Sequence, residues 1–158
     1  MSEICAYHEC GHAIMAIQQG GVVHSLSIDP DWDDGPQREG DIEVHWPAKN
    51  WNLKEIHRAS IQVSLAGPAA EMVYTKEPYH PAFVQEWSWD WKTAWSLAES
   101  FFPGEEARLR FLEQLTKQTY AWFSRDEIWQ ATAALADELL AHEILEKPEI
   151  HDTARLWL

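Results

Sequence analysis

The chain has 158 residues, and its 12 Lys plus Arg against 26 Asp plus Glu give a formal net charge of −14. That length suits one domain, and 46% hydrophobic with 24% charged residues is the balance of a folded protein with a sizeable core. The acidic surplus speaks against binding nucleic acid or an anionic membrane, which need clustered Lys and Arg, and no run nears the ~18 apolar residues of a spanning helix.

Residues 2 to 19 carry Tyr7, Cys10, Ile14 and Ile17 at helical spacing and stop at Gly20-Gly21, which predicts a first helix. Glu3, His8, Glu9 and His12 leave no room in it for a signal-peptide core, so the chain reads as a soluble, cytoplasmic protein. Cys5 and Cys10 fall on separate sides of that helix and are expected not to bridge each other. Val22 to Ile28 and Asp41 to Trp46 read as two strands, the first with Val22, His24, Leu26 and Ile28 on one face. The acidic run Asp31 to Asp34 between them lacks the spacing and the closing glutamate of an EF-hand and reads as a solvated loop rather than a calcium site.

A second helical pattern runs from Asn52 to Tyr74, with a kink or break expected between Ser64 and Pro68. Residues 75 to 87 read as a loop, and Trp91 to Phe102 as a helix ended by Pro103-Gly104. Two long helices follow, about 105 to 123 and 125 to 145, with Ser124 and Glu127 making a capping-box signature between them. Four of the ten tryptophans (Trp87, Trp89, Trp91 and Trp95) cluster ahead of and within the third helix, where core and groove packing is their expected role. The whole is a mainly α (α+β) fold, with a small β-sheet beside the first helix and no domain boundary between residues 1 and 158.

The chemistry concentrates in His8-Glu9-Cys10-Gly11-His12, an HExxH pattern placed on a predicted helix. Histidines at i and i+4 share a face about 5–6 Å apart at Cβ, so both imidazoles reach one tetrahedral zinc. Glu9 stands beside the first of them, where its carboxylate can take a proton from an attacking water and pass it to a leaving amine. A catalytic zinc needs a third protein ligand. Met15 and Gln18 occupy the places of the glycine and histidine in the extended HExxHxxGxxH pattern, which excludes that arrangement. Glu71 and Asp90, each on or beside a predicted helix, are left as candidates. Cys5, one turn before His8, is a weaker one, and His24, His45, His57, His80, His142 and His151 show no ligand spacing.

Residues Ala6 to Ile14 around the HExxH sequence resemble the zinc motif of the FtsH-type ATP-dependent metalloproteases. Leu65-Ala66-Gly67-Pro68-Ala69-Ala70-Glu71 is similar to that family's glycine-rich helix ending in Ala-Glu, and Asp90 to Ala98 to its Asp-led helix, in the same order and at matching separations. The resemblance covers the whole chain, least specifically over 29 to 52, 75 to 88 and the closing helices. It implies a zinc endopeptidase domain with Zn2+ held by His8, His12 and Asp90, Glu9 as general base, and Glu71 orienting a ligand histidine. It further implies unfolded or flexible peptides as substrates, a homo-oligomer, and an ATPase acting as a separate partner, since this chain has only seven residues before His8 and no phosphate-binding loop. Two departures bear on substrate preference and subunit contacts: Pro68 stands where the family is usually basic, and a tryptophan-rich loop precedes Asp90. The competing expectation is a degenerate protease that uses its tryptophan-rich surface to bind a peptide or protein partner around a structural zinc.

Overall fold

The computed structural model describes residues 2–28, 40–47 and 51–158, and the acidic loop expected between the first two strands lies outside them. The chain is mainly α with one small antiparallel sheet, as the sequence pattern predicts. Helix α1 (Ser2–Gln18) is buried continuously from Cys5 to Ala16, enclosed by α2 (Leu53–Thr75), α5 (Asp126–His142) and the sheet. A helix apolar all round belongs in a core. Within this one, His8, Glu9 and His12 are the buried exceptions. Gly20 ends it at φ +94, and the Gly21 N–H reaches the Ala16 carbonyl at 2.8 Å.

The sheet has the order β2-β1-β3, with β1 (Val22–Ile28) between β2 (Gly40–His45) and β3 (Ile144–Glu146), both antiparallel to it. Strict alternation along β1 does not hold. The register slips between Val23 and Ser25, so Val23, Leu26 and Ile28 are the residues that go inward. The bulge leaves the Val23 N–H to donate to His151 Nε2 (3.0 Å) on α6 (Lys147–Arg155), which fastens that helix to the sheet.

Helix α2 runs unbroken through Pro68, so of the expected kink or break, the break does not occur. Proline there removes one hydrogen bond, toward the Ser64 carbonyl, while packing on both flanks holds the remaining turns in place. Ala66, Ala69 and Ala70 join the core around α1, and Ile61 and Leu65 join a second core with Ala94, Ala98 and Leu112 of α3 (Ser88–Ala98) and α4 (Glu105–Phe123). Helix α2 is thus the wall between two cores. Asn52 caps its start by accepting the Glu55 N–H at 2.8 Å.

Three further details differ from expectation. Helix α5 stops at His142 rather than 145, because Glu143 turns left-handed at φ 66 and the chain enters β3. Ser124 does not cap α5, since its hydroxyl turns back to the Tyr120 carbonyl at 2.9 Å, and Glu127 pairs with Arg125 instead. The 75–87 segment contains two short 3₁₀ turns, Pro81–Phe83 and Gln85–Trp87. Of the clustered tryptophans, Trp87 is buried and Trp91 and Trp95 pack on the second core, as expected, but Trp89 is 71% exposed. Cys5 and Cys10 are both buried thiols. Among the described residues no helix is long and apolar enough to cross a membrane.

Candidate metal centre

His8 and His12 lie one turn apart on α1 with ring centroids 4.8 Å apart, edge to face, and Nε2 atoms 3.2 Å apart. Asp90, in the first turn of α3, brings Oδ2 to 2.8 Å from His8 Nε2 and 3.4 Å from His12 Nε2. These three residues form a group that could hold a metal ion, all candidate ligand atoms lying within 4.8 Å of one another. Neither Glu71 nor Cys5 belongs to the group. Glu71 stands behind it, its Oε1 accepting from His8 Nδ1–H at 3.0 Å.

The hydrogen bonds behind the rings fix which nitrogen faces the centre. A backbone carbonyl only accepts, so the 2.6 Å contact between His12 Nδ1 and the Val63 carbonyl puts the proton on Nδ1. The Glu71 carboxylate does the same for His8. Both Nε2 atoms therefore face a carboxylate oxygen in a buried pocket, His8 being 3% and His12 6% exposed. Such an arrangement calls for a cation.

The electrostatics agree. Burial opposes charge on His8, but its hydrogen bonds to Asp90 and Glu71 outweigh that and its pKa is pushed up to about 10. Burial likewise works against the Asp90 carboxylate, yet His12 and His8 together hold it well below the usual range. Glu9 behaves differently: it is 6% exposed, makes no hydrogen bond or ion pair with any described residue, and burial pushes its carboxyl up.

Room for this cluster depends on glycines that the sequence reading passed over. A Cβ on Gly67 would lie 2.4 Å from His12 Nε2 and 2.8 Å from His8 Nε2, so only glycine leaves that space open. A Cβ on Gly11 would meet Ala70 Cβ at 2.6 Å and the Ala66 carbonyl oxygen at 2.7 Å, so glycine there lets α1 and α2 touch. The Val63 carbonyl was equally invisible, being backbone. In the sequence the Gly67-Pro68 pair signals a kink or break and not a seat for the imidazoles.

The centre opens into a cleft of about 360 Å³ bordered by Glu9, by Asp41 and Ile42 of β2, and by Glu86 and Trp89 ahead of Asp90. The other histidines stay outside it. His24 and His45 face each other across β1 and β2 at 5.8 Å, His80 is held by Glu113 and the Ala82 N–H, and His151 serves β1. Fold and site together define a mainly helical protein in which two buried histidines and a half-buried aspartate form a group that could hold a metal ion. No family model and no curated protein matches the chain.

Proposed function

We propose that the chain is a zinc-dependent endopeptidase acting on unfolded or flexible peptides, as its resemblance to the FtsH-type peptidase domain implies. The observation that carries this reading is Glu9. A carboxylate this buried, with no hydrogen bond or ion pair to any described residue and bordering the cleft beside the His-His-Asp group, costs stability and serves no purpose in a purely structural metal site. Two imidazole nitrogens and one carboxylate oxygen suit zinc, whereas magnesium and calcium favour all-oxygen shells.

Bound by His8, His12 and Asp90, zinc would supply Lewis acidity toward a peptide carbonyl and toward water. The chain's own residues do the rest. Glu9 removes a proton from the water that adds to the carbonyl carbon, and returns it to the amine as the C–N bond breaks, so that one water is consumed per bond cleaved. A carboxyl raised by burial is suited to both transfers. Glu71 and the Val63 carbonyl hold the imidazoles in the tautomer that presents Nε2. Strand β2 is the outer strand in the order β2-β1-β3, and its Asp41 and Ile42 border the cleft, so an extended peptide can add to its edge with its backbone toward the site.

Reconstitution tests this. Purified protein should carry about one zinc per chain, as a mononuclear site requires. Chelation should abolish hydrolysis of a denatured protein substrate, and zinc, but not magnesium or calcium, should restore it without ATP. A chain that cannot be loaded with zinc would overturn the proposal.

The two carboxylates near the histidines should also separate. Asp90→Ala deletes a candidate ligand and should weaken zinc binding by more than the ~10–100-fold typical of losing a group that only orients one. Glu71→Ala should stay within that range. Competition with a chromogenic chelator measures both, and the reverse order would reassign the ligand.

A further inference from the structure

We propose that this cleft selects for positively charged peptides, with a Lys or Arg side chain beside the scissile bond bound by Asp41 and Glu86. The inference rests on the peptidase reading and adds a substrate class to it. Glu9, Asp41, Glu86 and Asp90 all border the cleft, and among the described residues no lysine or arginine does. A divalent cation at His8, His12 and Asp90 would offset the charges of Asp90 and Glu9, which leaves those of Asp41 and Glu86 over.

These two come from different elements, β2 and the 3₁₀ turn Gln85–Trp87 that precedes α3. Asp41 uses one oxygen on the neighbouring Ile42 N–H at 2.9 Å, and Glu86 makes no hydrogen bond or ion pair with any described residue. Both therefore have acceptor capacity to offer. Lys92, the basic residue nearest Glu86 in sequence, lines a separate cavity with Trp91 and Trp95. Trp89, 71% exposed on the same wall as Glu86, supplies an aromatic surface for the aliphatic stem and the charged head of Lys or Arg. Glu9, buried and without a hydrogen bond or ion pair to any described residue, stands at the inner end of the same cleft.

The test uses full-length zinc-loaded protein and matched unfolded peptides that differ only in Lys, Gln or Glu near the cleaved bond, with products read by mass spectrometry. Two partly exposed carboxylates acting on one cation should give about a tenfold higher kcat/KM for the Lys peptide than for Gln, and the Glu peptide should be poorer still. The ratio should shrink toward one in ~0.5 M salt, where screening is short-ranged. Asp41→Asn with Glu86→Gln should remove the preference, and Asp41→Lys with Glu86→Lys should reverse it. Equal rates for all three peptides, or a Lys preference surviving the double reversal, would overturn the proposal. If no peptide is cleaved, the peptidase reading falls. The charge preference is then decided by fluorescence anisotropy of labelled peptides on zinc-loaded Glu9→Gln protein, where tighter binding of the Lys peptide by about tenfold supports it and equal affinity refutes it.

Discussion

Glu9→Gln is expected to keep zinc in place and to cut peptide hydrolysis by the ~10²–10⁴ that general acid-base catalysis contributes. Glutamine matches the shape of the side chain and disturbs no hydrogen bond, because Glu9 makes none with a described residue. What it lacks is a basic oxygen for the proton of water. Burial already raises the Glu9 carboxyl, so the wild-type residue carries a desolvation cost that the neutral amide reduces. The variant should therefore be at least as stable as wild type, the usual signature of a residue kept for activity. Zinc content, thermal midpoint and kcat measured on one preparation test all three parts. Undiminished turnover would remove Glu9 from the mechanism.

Gly67→Ala should have the second large effect, and its sign is diagnostic. In an ordinary helix interior this change stabilises by about 0.5–1 kcal/mol. Here the new methyl would stand 2.4 Å from His12 Nε2 and 2.6 Å from its Cε1, inside the space the two imidazoles share. Overpacking of that kind costs about 1–3 kcal/mol, enough to cancel the gain in helix propensity and destabilise the chain. The displaced rings should also lose zinc. Calorimetry of the metal-free protein and a zinc titration together check this. A variant that melts higher and still binds zinc would mean the seat has been misread.

The contrast between Gly67 and His8 shows where sequence reasoning ran well and where it could not. The HExxH pair was legible because its i, i+4 spacing states a geometry, and α1, which carries it, had clear punctuation at Gly20-Gly21. Gly67 acts by lacking a side chain and Val63 by its backbone, so neither leaves a mark in a pattern of residue types. Asp90 and Glu71 were both visible as carboxylates, and the family resemblance ranked Asp90 as the ligand. The fold sets Asp90 against the Nε2 atoms and Glu71 against the far nitrogen of His8. No break occurs at Pro68 because local propensity is outvoted by burial on both flanks of α2. Strand β3 was missed for the opposite reason, since three residues are too few to show a period and Glu143 turns the chain without a glycine. At His24 a single-residue bulge moved the inward face from Val22 to Val23, a shift that alternation cannot anticipate.

The proposed water-activating peptidase site joins His8, His12 and Asp90 with Glu9 at the head of one cleft. It is tested most directly by incubating the zinc-loaded chain with a library of unfolded peptides in ¹⁸O-labelled water and sequencing the products by mass spectrometry. The account predicts new carboxyl termini carrying ¹⁸O, absent with chelator and absent with Glu9→Gln. Zinc-loaded wild-type protein that leaves every peptide intact, or Glu9→Gln protein that cleaves them as fast, would contradict it.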